Sequence, residues 1–252
     1  MNAGAAGPRV HGGRRPCASR PGQDGRVTTP CQVWWAAPVA PVDAPHLLPL
    51  LDDHEQDRLQ RFRRPADTAR YLAAHALTRL VLAELLGASP SGLVFDRTCR
   101  CGQPHGKPTL PGGPHFSLTH AGELVGLAVH AGGPVGLDVE QVRAMKDLPS
   151  MARHVCSPAE LQAAGPPAPA EFFRAWTRKE ALLKATGEGL SSPMNAITLG
   201  PEGVRDWTGG SAPADPVWLR DLRPASDYPA AVAGLGPVVP DVVENDGDAV
   251  LR

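Results

Sequence analysis

Residues 172–190, FFRAWTRKEALLKATGEGL, constrain the fold of this chain more than any other stretch. The run reads as one helix. Phe172, Phe173, Trp176, Ala181, Leu182 and Leu183 give it apolar surface that has to be covered by a partner, with Trp176 as its packing anchor. Glu180 and Lys184 are four residues apart and therefore neighbours on the helix surface, with Trp176 one turn before Glu180. Such a pair is either an ordinary surface ion pair, worth about 0.3–0.5 kcal/mol, or one side of an active site. The remaining sequence has to decide between the two.

A chain of 252 residues suffices for one large domain or two small ones, each with a core that needs no disulfide or metal. The formal net charge of -1 demands neither nucleic acid nor a membrane surface as a partner, so any basic site is local. The 5 cysteines are odd in number and scattered, unlike a secreted disulfide framework. Cys99 and Cys101 are one residue apart and lack the second ligand pair of a structural zinc site. No apolar run is long enough to span a membrane, and the Arg-, Gly- and Pro-rich N-terminus has no signal-peptide core. These features lead us to expect a cytoplasmic protein.

Taken in order, residues 1–30 predict a disordered tail and residues 31–37 the first strand, built on Val33, Trp34 and Trp35. A basic segment, RLQRFRR, precedes Pro65 and an amphipathic helix over residues 66–86 with Gly87 as its stop. Arg70 and Arg79 are expected to reach away from its apolar face. Together with Arg58 they are either a solvated surface or a cluster that holds an anion such as a phosphate. Residues 93–95 suggest a strand. The following Gly-rich segment, residues 101–122, lacks the GxxxxGK[ST] arrangement but sets Gly106, Lys107 and Pro108 before Ser117, Leu118, Thr119 and His120. Small and hydroxylated residues beside an imidazole let a ligand approach the backbone and meet donors there.

Residues 124–129 and 135–142 read as an antiparallel hairpin around AGGP. Asp138 and Glu140, two apart, would share one face of its second strand. They form either an exposed acidic edge or, with phosphate oxygens completing an octahedron, a site for Mg2+ or Mn2+. A helical piece beginning near Ser157 leads to the helix of residues 172–190. Residues 197–199, 217–222 and 230–235 read as three further strands, and residues from 237 onward as a fraying or surface-bound end. Strand and helix content is distributed alike in the two halves, which hints at a duplicated α/β module.

In order and spacing, GKP at residues 106–108, HFSLTHAG at 115–122, GLDVEQVR at 136–143 and FFRAWTRKEALLKATGEGL resemble the motifs of Sfp-type 4'-phosphopantetheinyl transferases. The resemblance spans roughly residues 31–235 and is most specific in the last two blocks. It implies an α+β fold of two similar α/β subdomains related by a pseudo-twofold axis, with the active site in the cleft between them. The implied divisions are a tail over residues 1–30, an N-terminal, coenzyme A-binding subdomain over 31–134, a C-terminal, catalytic subdomain over 135–236, and a tail over 237–252. The implied reaction transfers the phosphopantetheine arm of coenzyme A to a serine of an apo acyl or peptidyl carrier protein, by a monomer, with release of adenosine 3',5'-bisphosphate.

Residue by residue, the resemblance puts Asp138, Glu140 and Glu180 around a Mg2+ ion, Lys184 beside the pyrophosphate, and His120 with the backbone near Thr119 against coenzyme A phosphates. It places Gly106, Lys107 and Pro108 beside the adenine, and Arg58 and Arg70 near the 3'-phosphate. Glu180, directly or through a water, is the expected base and Lys184 the group that stabilises pyrophosphate charge. Thr119 stands where serine is usual, which retains the hydroxyl. Glu55 stands where some relatives carry a basic residue, so the 3'-phosphate pocket is expected to be less positive or differently built. The rival readings are a non-catalytic module that grips coenzyme A or a carrier, and a metal-dependent hydrolase of a nucleotide pyrophosphate. The Ala-, Pro-, Gly- and Arg-rich composition resembles that of proteins from GC-rich bacterial genomes, where such transferases often serve polyketide or peptide synthases.

Overall fold

The structure is a computed structural model that describes residues 29–99, 102, 103, 106–189 and 192–252. The tail expected over residues 1–30 lies outside these residues except for its last two positions, as does Cys101 of the proposed cysteine pair.

The first half contains β1 (Cys31–Ala36), α1 (Asp53–Gln60), α2 (Pro65–Leu86), β2 (His115–Ala121) and β3 (Leu124–His130). Asp52 and Glu55 form a capping box that starts α1. Pro65 sits in the first turn of α2, where its missing N–H costs nothing, and Gly87 ends that helix at φ 62, a left-handed conformation that favours glycine. Leu72, Leu77 and Leu82 of α2 are fully buried in one core with Phe116, Val125 and Leu127 of the sheet. Arg79 departs from expectation. It is fully buried instead of facing away from the core, because Glu55 and Asp52 of α1 accept its guanidinium.

The second half contains β4 (Val135–Val139), α3 (Leu148–Val155), α4 (Pro158–Ala164), α5 (Pro169–Thr186), β5 (Ile197–Gly200), β6 (Gly203–Trp207), β7 (Val217–Ala225) and β8 (Tyr228–Leu235). Its core joins Phe172, Phe173, Ala181, Leu182 and Leu183 of α5 to Ala231 and Ala233 of β8, with Trp176 packed against its margin. Ser157 caps α4 through a reciprocal box with Glu160, as a helix start near this serine requires.

Three sheets are present among the described residues, ordered β2-β3-β1-β9, β4-β8-β7 and β5-β6, where β9 is Val242–Asp246. Strand β1, helix α2 and hairpin β2–β3 form a sheet core of order β2-β3-β1; strand β4, helix α5 and hairpin β7–β8 form one of order β7-β8-β4. The same strand–helix–hairpin unit, with its last strand central, therefore occurs twice. The mixed α+β class is as the sequence implied.

Three local readings change. Residues 124–129 and 135–142 are not a hairpin, because β3 is central, with β2 on one edge and β1 on the other, so β4 pairs with β8 instead. Residues 93–95 are not a strand. Leu93 and Phe95 plug the first core, the Leu93 carbonyl accepts from Arg79, and among the described residues the ladder contact nearby is the bridge Asp96–Thr109. The segment beyond residue 237, expected to fray or lie along the surface, is an ordered edge of the first half. β9 pairs in parallel with β1, and α6 (Asp248–Leu251) buries Leu251 in the first core. Glu244 and Asp246 suit an edge strand but hide its signal in the sequence.

Candidate active site

β4 is an edge strand buried between the two halves, so the unpaired groups on its free edge need partners. Side chains supply four of them. The Leu137 N–H donates to Ser117 Oγ at 3.0 Å and the Val139 N–H to Thr119 Oγ1 at 3.2 Å, both hydroxyls coming from β2. The Val135 carbonyl accepts from Lys107 Nζ at 2.7 Å, and the Leu137 carbonyl from Lys184 Nζ at 2.9 Å. One half of the molecule thus fixes the strand that carries the acidic residues of the other.

The even-numbered side chains of β4 face α5. A Cβ on Gly136 would lie 2.0 Å from the Ala181 carbonyl oxygen and 2.5 Å from the Ala185 nitrogen, so only glycine lets the helix backbone come this close. This approach brings Glu180 and Lys184 against Asp138. We expect Gly136→Ala to unfold at least several degrees lower than the wild type, since backbone atoms cannot yield as side chains do. A calorimetric scan with unchanged Tm would show that the close packing is not needed.

Asp138 is almost wholly buried. Its Oδ1 accepts from Lys184 Nζ at 2.7 Å and from Thr119 Oγ1 at 3.2 Å, while its Oδ2 is buried without a hydrogen-bond partner. Burial raises its pKa, and the Lys184 ammonium and Thr119 hydroxyl pull against that rise. Glu180, also buried, is pushed up to about 7 by burial and then by the Asp138 charge, with Lys184 opposing and Glu140 adding to the effect. The pair Glu180–Lys184 is therefore no surface ion pair: Lys184 binds Asp138, across from its own helix. Glu140 lies one residue beyond β4, where its carboxylate pairs with Arg143 at 2.9 Å.

Among the described residues, no three His, Cys, Asp or Glu side chains converge into a ready-made metal cage. The donor set nonetheless fits a hard divalent cation that keeps most of its shell as water or phosphate oxygen. Glu140 adds to the raised pKa of both Asp138 and Glu180, Asp138 adds to that of Glu180, and the buried Oδ2 of Asp138 lacks a partner. A buried acceptor left unpaired costs about 1–3 kcal/mol, which a cation would recover.

The other expected site residues are distributed around this cluster. His120, on the exposed end of β2, has its pKa lowered by burial and by the nearby Arg70 and Lys184. Arg70 is held by the Gly122 carbonyl at 2.9 Å and by Asp67. Lys107 differs from expectation, because its ammonium is bound to the Val135 and Lys184 carbonyls between the halves; burial and then Lys184 hold it down at about 8. Its neighbours Gly106 and Pro108 line a cavity of about 180 Å³ with His54, Arg58, Tyr71, His75, Arg97 and Leu118. Glu55, for which a less positive or differently built phosphate pocket was expected, is buried beneath this cavity, and its carboxylate is taken up by Arg79, Arg97 and His75. Two larger cavities, about 560 and 740 Å³, lie along the N-terminal part of α5 and do not include the acidic cluster.

Sequence reasoning missed Tyr71, His75 and Arg97. The first two carried a usable signal, since Tyr71, His75 and Arg79 recur every four residues and so line one face of α2 toward α1. Polar groups in register on an otherwise apolar helix need partners; Glu55 is that of His75 and Arg79, and Tyr71 stacks on His75.

The profile of the 4'-phosphopantetheinyl transferase superfamily matches residues 134–233, and that of the 4'-phosphopantetheinyl transferase N-terminal region matches residues 39–132. The 4'-phosphopantetheinyl transferase HetI of Nostoc sp. is 33% identical over 212 residues, covering 78% of this chain and 85% of that protein. The chain belongs to the 4'-phosphopantetheinyl transferase family. A putative 4'-phosphopantetheinyl transferase of Synechocystis sp. is 32% identical over 66% of this chain and 68% of its own length. The transferase Sfp of Bacillus subtilis is 24% identical over 66% of this chain and 74% of its own. As a phosphopantetheinyl transferase, the protein uses coenzyme A as the donor and a carrier protein as the acceptor. Among its described residues no helix is long and apolar enough to cross a membrane.

Proposed function

We propose that Asp138, Glu140 and Glu180 hold a divalent ion, Mg2+, at the pyrophosphate of coenzyme A, and that the chain releases adenosine 3',5'-bisphosphate. The observation that carries this reading is the buried Oδ2 of Asp138, unpartnered beside Glu180 and Lys184. When bound, the ion would neutralise pyrophosphate charge as the leaving group departs.

The chain's own residues divide the remaining work. A serine hydroxyl is a weak nucleophile at neutral pH and needs a base within hydrogen-bond reach. Glu180, raised to about 7 in the absence of the ion, is the buried carboxylate placed to take that proton, directly or through a water. The serine oxygen forms its bond to the phosphorus that carries the pantetheine arm, and the bond from that phosphorus to the bridging oxygen breaks toward the bisphosphate. Lys184, the ammonium bound to Asp138, shifts from it toward the pyrophosphate oxygens. His120 and the backbone near Thr119 contact the phosphates, Arg70 lies behind His120, and Arg58, Gly106 and Pro108 enclose the nucleotide end. The recurrence of one strand–helix–hairpin unit supports a pseudo-twofold arrangement, and one chain carries both walls of the site, so a monomer suffices.

The carrier approaches over the second half, where a groove along α5 combines the apolar Val142, Ala170 and Leu222 with charges of both signs, Arg174 and Arg223 beside Glu171, Asp221 and Asp227. Intact mass measurement of an apo carrier mixed with the protein, coenzyme A and Mg2+ tests the reading. We expect addition of the arm, dependent on Mg2+ and abolished by chelation. Transfer that persists undiminished after complete chelation would overturn the metal assignment, and loss of the arm to water with no carrier present would indicate a hydrolase.

A further inference from the structure

The cavity of about 180 Å³ at the junction of α1 and α2 holds the space of roughly six water molecules. Arg58, Arg97, His54, His75 and Tyr71 in its wall make it suited to a small anion. Beneath it lies Glu55, only 1% exposed. Glu55 Oε1 accepts from Arg97 Nη2 at 2.9 Å and contacts His75 Nδ1 at 2.9 Å, and Tyr71 stacks on the His75 ring at 4.0 Å between centroids. Arg97 Nη2 also binds Asp52 Oδ2 at 2.9 Å.

Both wall residues are thus held by a single nitrogen. A guanidinium keeps its donors in a rigid fork, so fixing Nη2 fixes the direction of Nε and Nη1 as well. An imidazole anchored through Nδ1 likewise has its Nε2 aimed by that bond. Glu55 is in turn held by the fully buried Arg79, which gives Nε to Glu55 Oε2 at 2.6 Å, Nη2 to Asp52 at 2.6 Å and Nη1 to the Pro90 and Leu93 carbonyls. Burial alone would raise the Glu55 pKa, but His75 and Arg79 bring it down to about 2, so the Glu55 carboxylate is ionised throughout the working pH range.

We propose that Glu55 is a positioning residue that presents Arg97 and His75 to the terminal phosphate monoester of coenzyme A, and that Arg97 is a specificity-determining residue for that group. The inference rests on the proposed placement of the nucleotide end beside Arg58, Gly106 and Pro108. A negative residue beneath a phosphate pocket is here a template. Its charge is spent on Arg79, Arg97 and His75, and what the cavity meets is the remaining donors of Arg97 and, in the imidazolium form, the Nε2–H of His75.

The test compares coenzyme A with its analogue lacking the 3'-phosphate. The wild type should prefer coenzyme A in kcat/KM. In Arg97→Gln, which leaves the Glu55–Arg79 pair intact, the KM for coenzyme A should rise about tenfold or more, as loss of a charge-assisted contact does. Its KM for the dephosphorylated analogue and its kcat at saturation should each change less than about threefold, because a missing contact to the phosphate is absent from that analogue's complex. Glu55→Gln should show the same selective loss, and Glu55→Asp a partial one. If Glu55→Gln does not fold, Arg97→Gln and His75→Gln decide the matter. Equal losses with both donors, or a lower KM for coenzyme A on removal of the Glu55 charge, would overturn the proposal. A wild type that does not distinguish the two donors would instead show that the nucleotide end lies elsewhere.

Discussion

An Asp138→Asn variant is expected to lose about 100- to 1,000-fold in transfer rate, the scale of removing one preorganised electrostatic group from a buried site. Asparagine keeps the size of the side chain and can still accept from Thr119, so β4 should stay in place through its four edge contacts from Ser117, Thr119, Lys107 and Lys184. What it removes is the charge that attracts a cation and holds Lys184. A thermal-shift titration separates this from a folding defect. Mg2+ should raise the Tm of the wild type in a concentration-dependent way, because binding to the native state alone adds stability by mass action. It should leave the Tm of Asp138→Asn nearly unmoved. An Asp138→Asn protein that transfers at the wild-type rate in limiting Mg2+ would sink the metal assignment.

Much of this cluster was legible because its residues sit at fixed offsets on regular elements. Glu180 and Lys184 share a helix face by the 3.6-residue repeat, and strand periodicity puts Gly136 and Asp138 on one side of β4. The sequence could not show that Lys184 crosses to Asp138, since that depends on how closely α5 can approach a strand distant in the chain. Gly136 was the only local trace of that approach. The misread hairpin has a similar origin. Short-range turn signals at Gly132, Gly133 and Pro134 suit a hairpin well, but β1, far earlier in the sequence, occupies the edge of β3 that β4 would need. For the same reason β9 was invisible, as the partner that makes it a strand is β1 at the other end of the chain. The Glu55 clamp lay between these extremes. Its helix-face spacing was present, but Arg79 belongs to a residue type seldom fully buried, and its burial follows only once α1 is laid across α2.

Glu180→Gln should abolish most transfer yet produce a more stable protein at alkaline pH, and the two effects have one cause. The folded-state pKa of Glu180 stands at about 7 against an ordinary value of 4.5. As pH rises between those values, the unfolded chain releases the proton first, so ionisation progressively subtracts stability from the native state. At pH 4 both states hold the proton and the residue contributes little difference. At pH 8 the wild type carries a buried carboxylate disfavoured by desolvation and by Asp138, at a cost on the order of 2–3 kcal/mol. Glutamine is neutral at both pH values and avoids it. Urea unfolding in chelator should therefore give Glu180→Gln a stability gain at pH 8 that vanishes near pH 4. The same substitution removes the proton acceptor, for which a loss of about 100- to 10,000-fold is expected. In the wild type the rate should climb with pH and then level, the direction required of a base that works deprotonated, with its midpoint below the metal-free Glu180 value once the cation is bound. A stability change identical at pH 4 and pH 8 would show that burial does not raise this carboxyl, and near-normal transfer by Glu180→Gln would assign the proton to another group. The residue is thus costly to fold in its active form, and a cation between Glu180 and Asp138 would offset that cost where the reaction takes place.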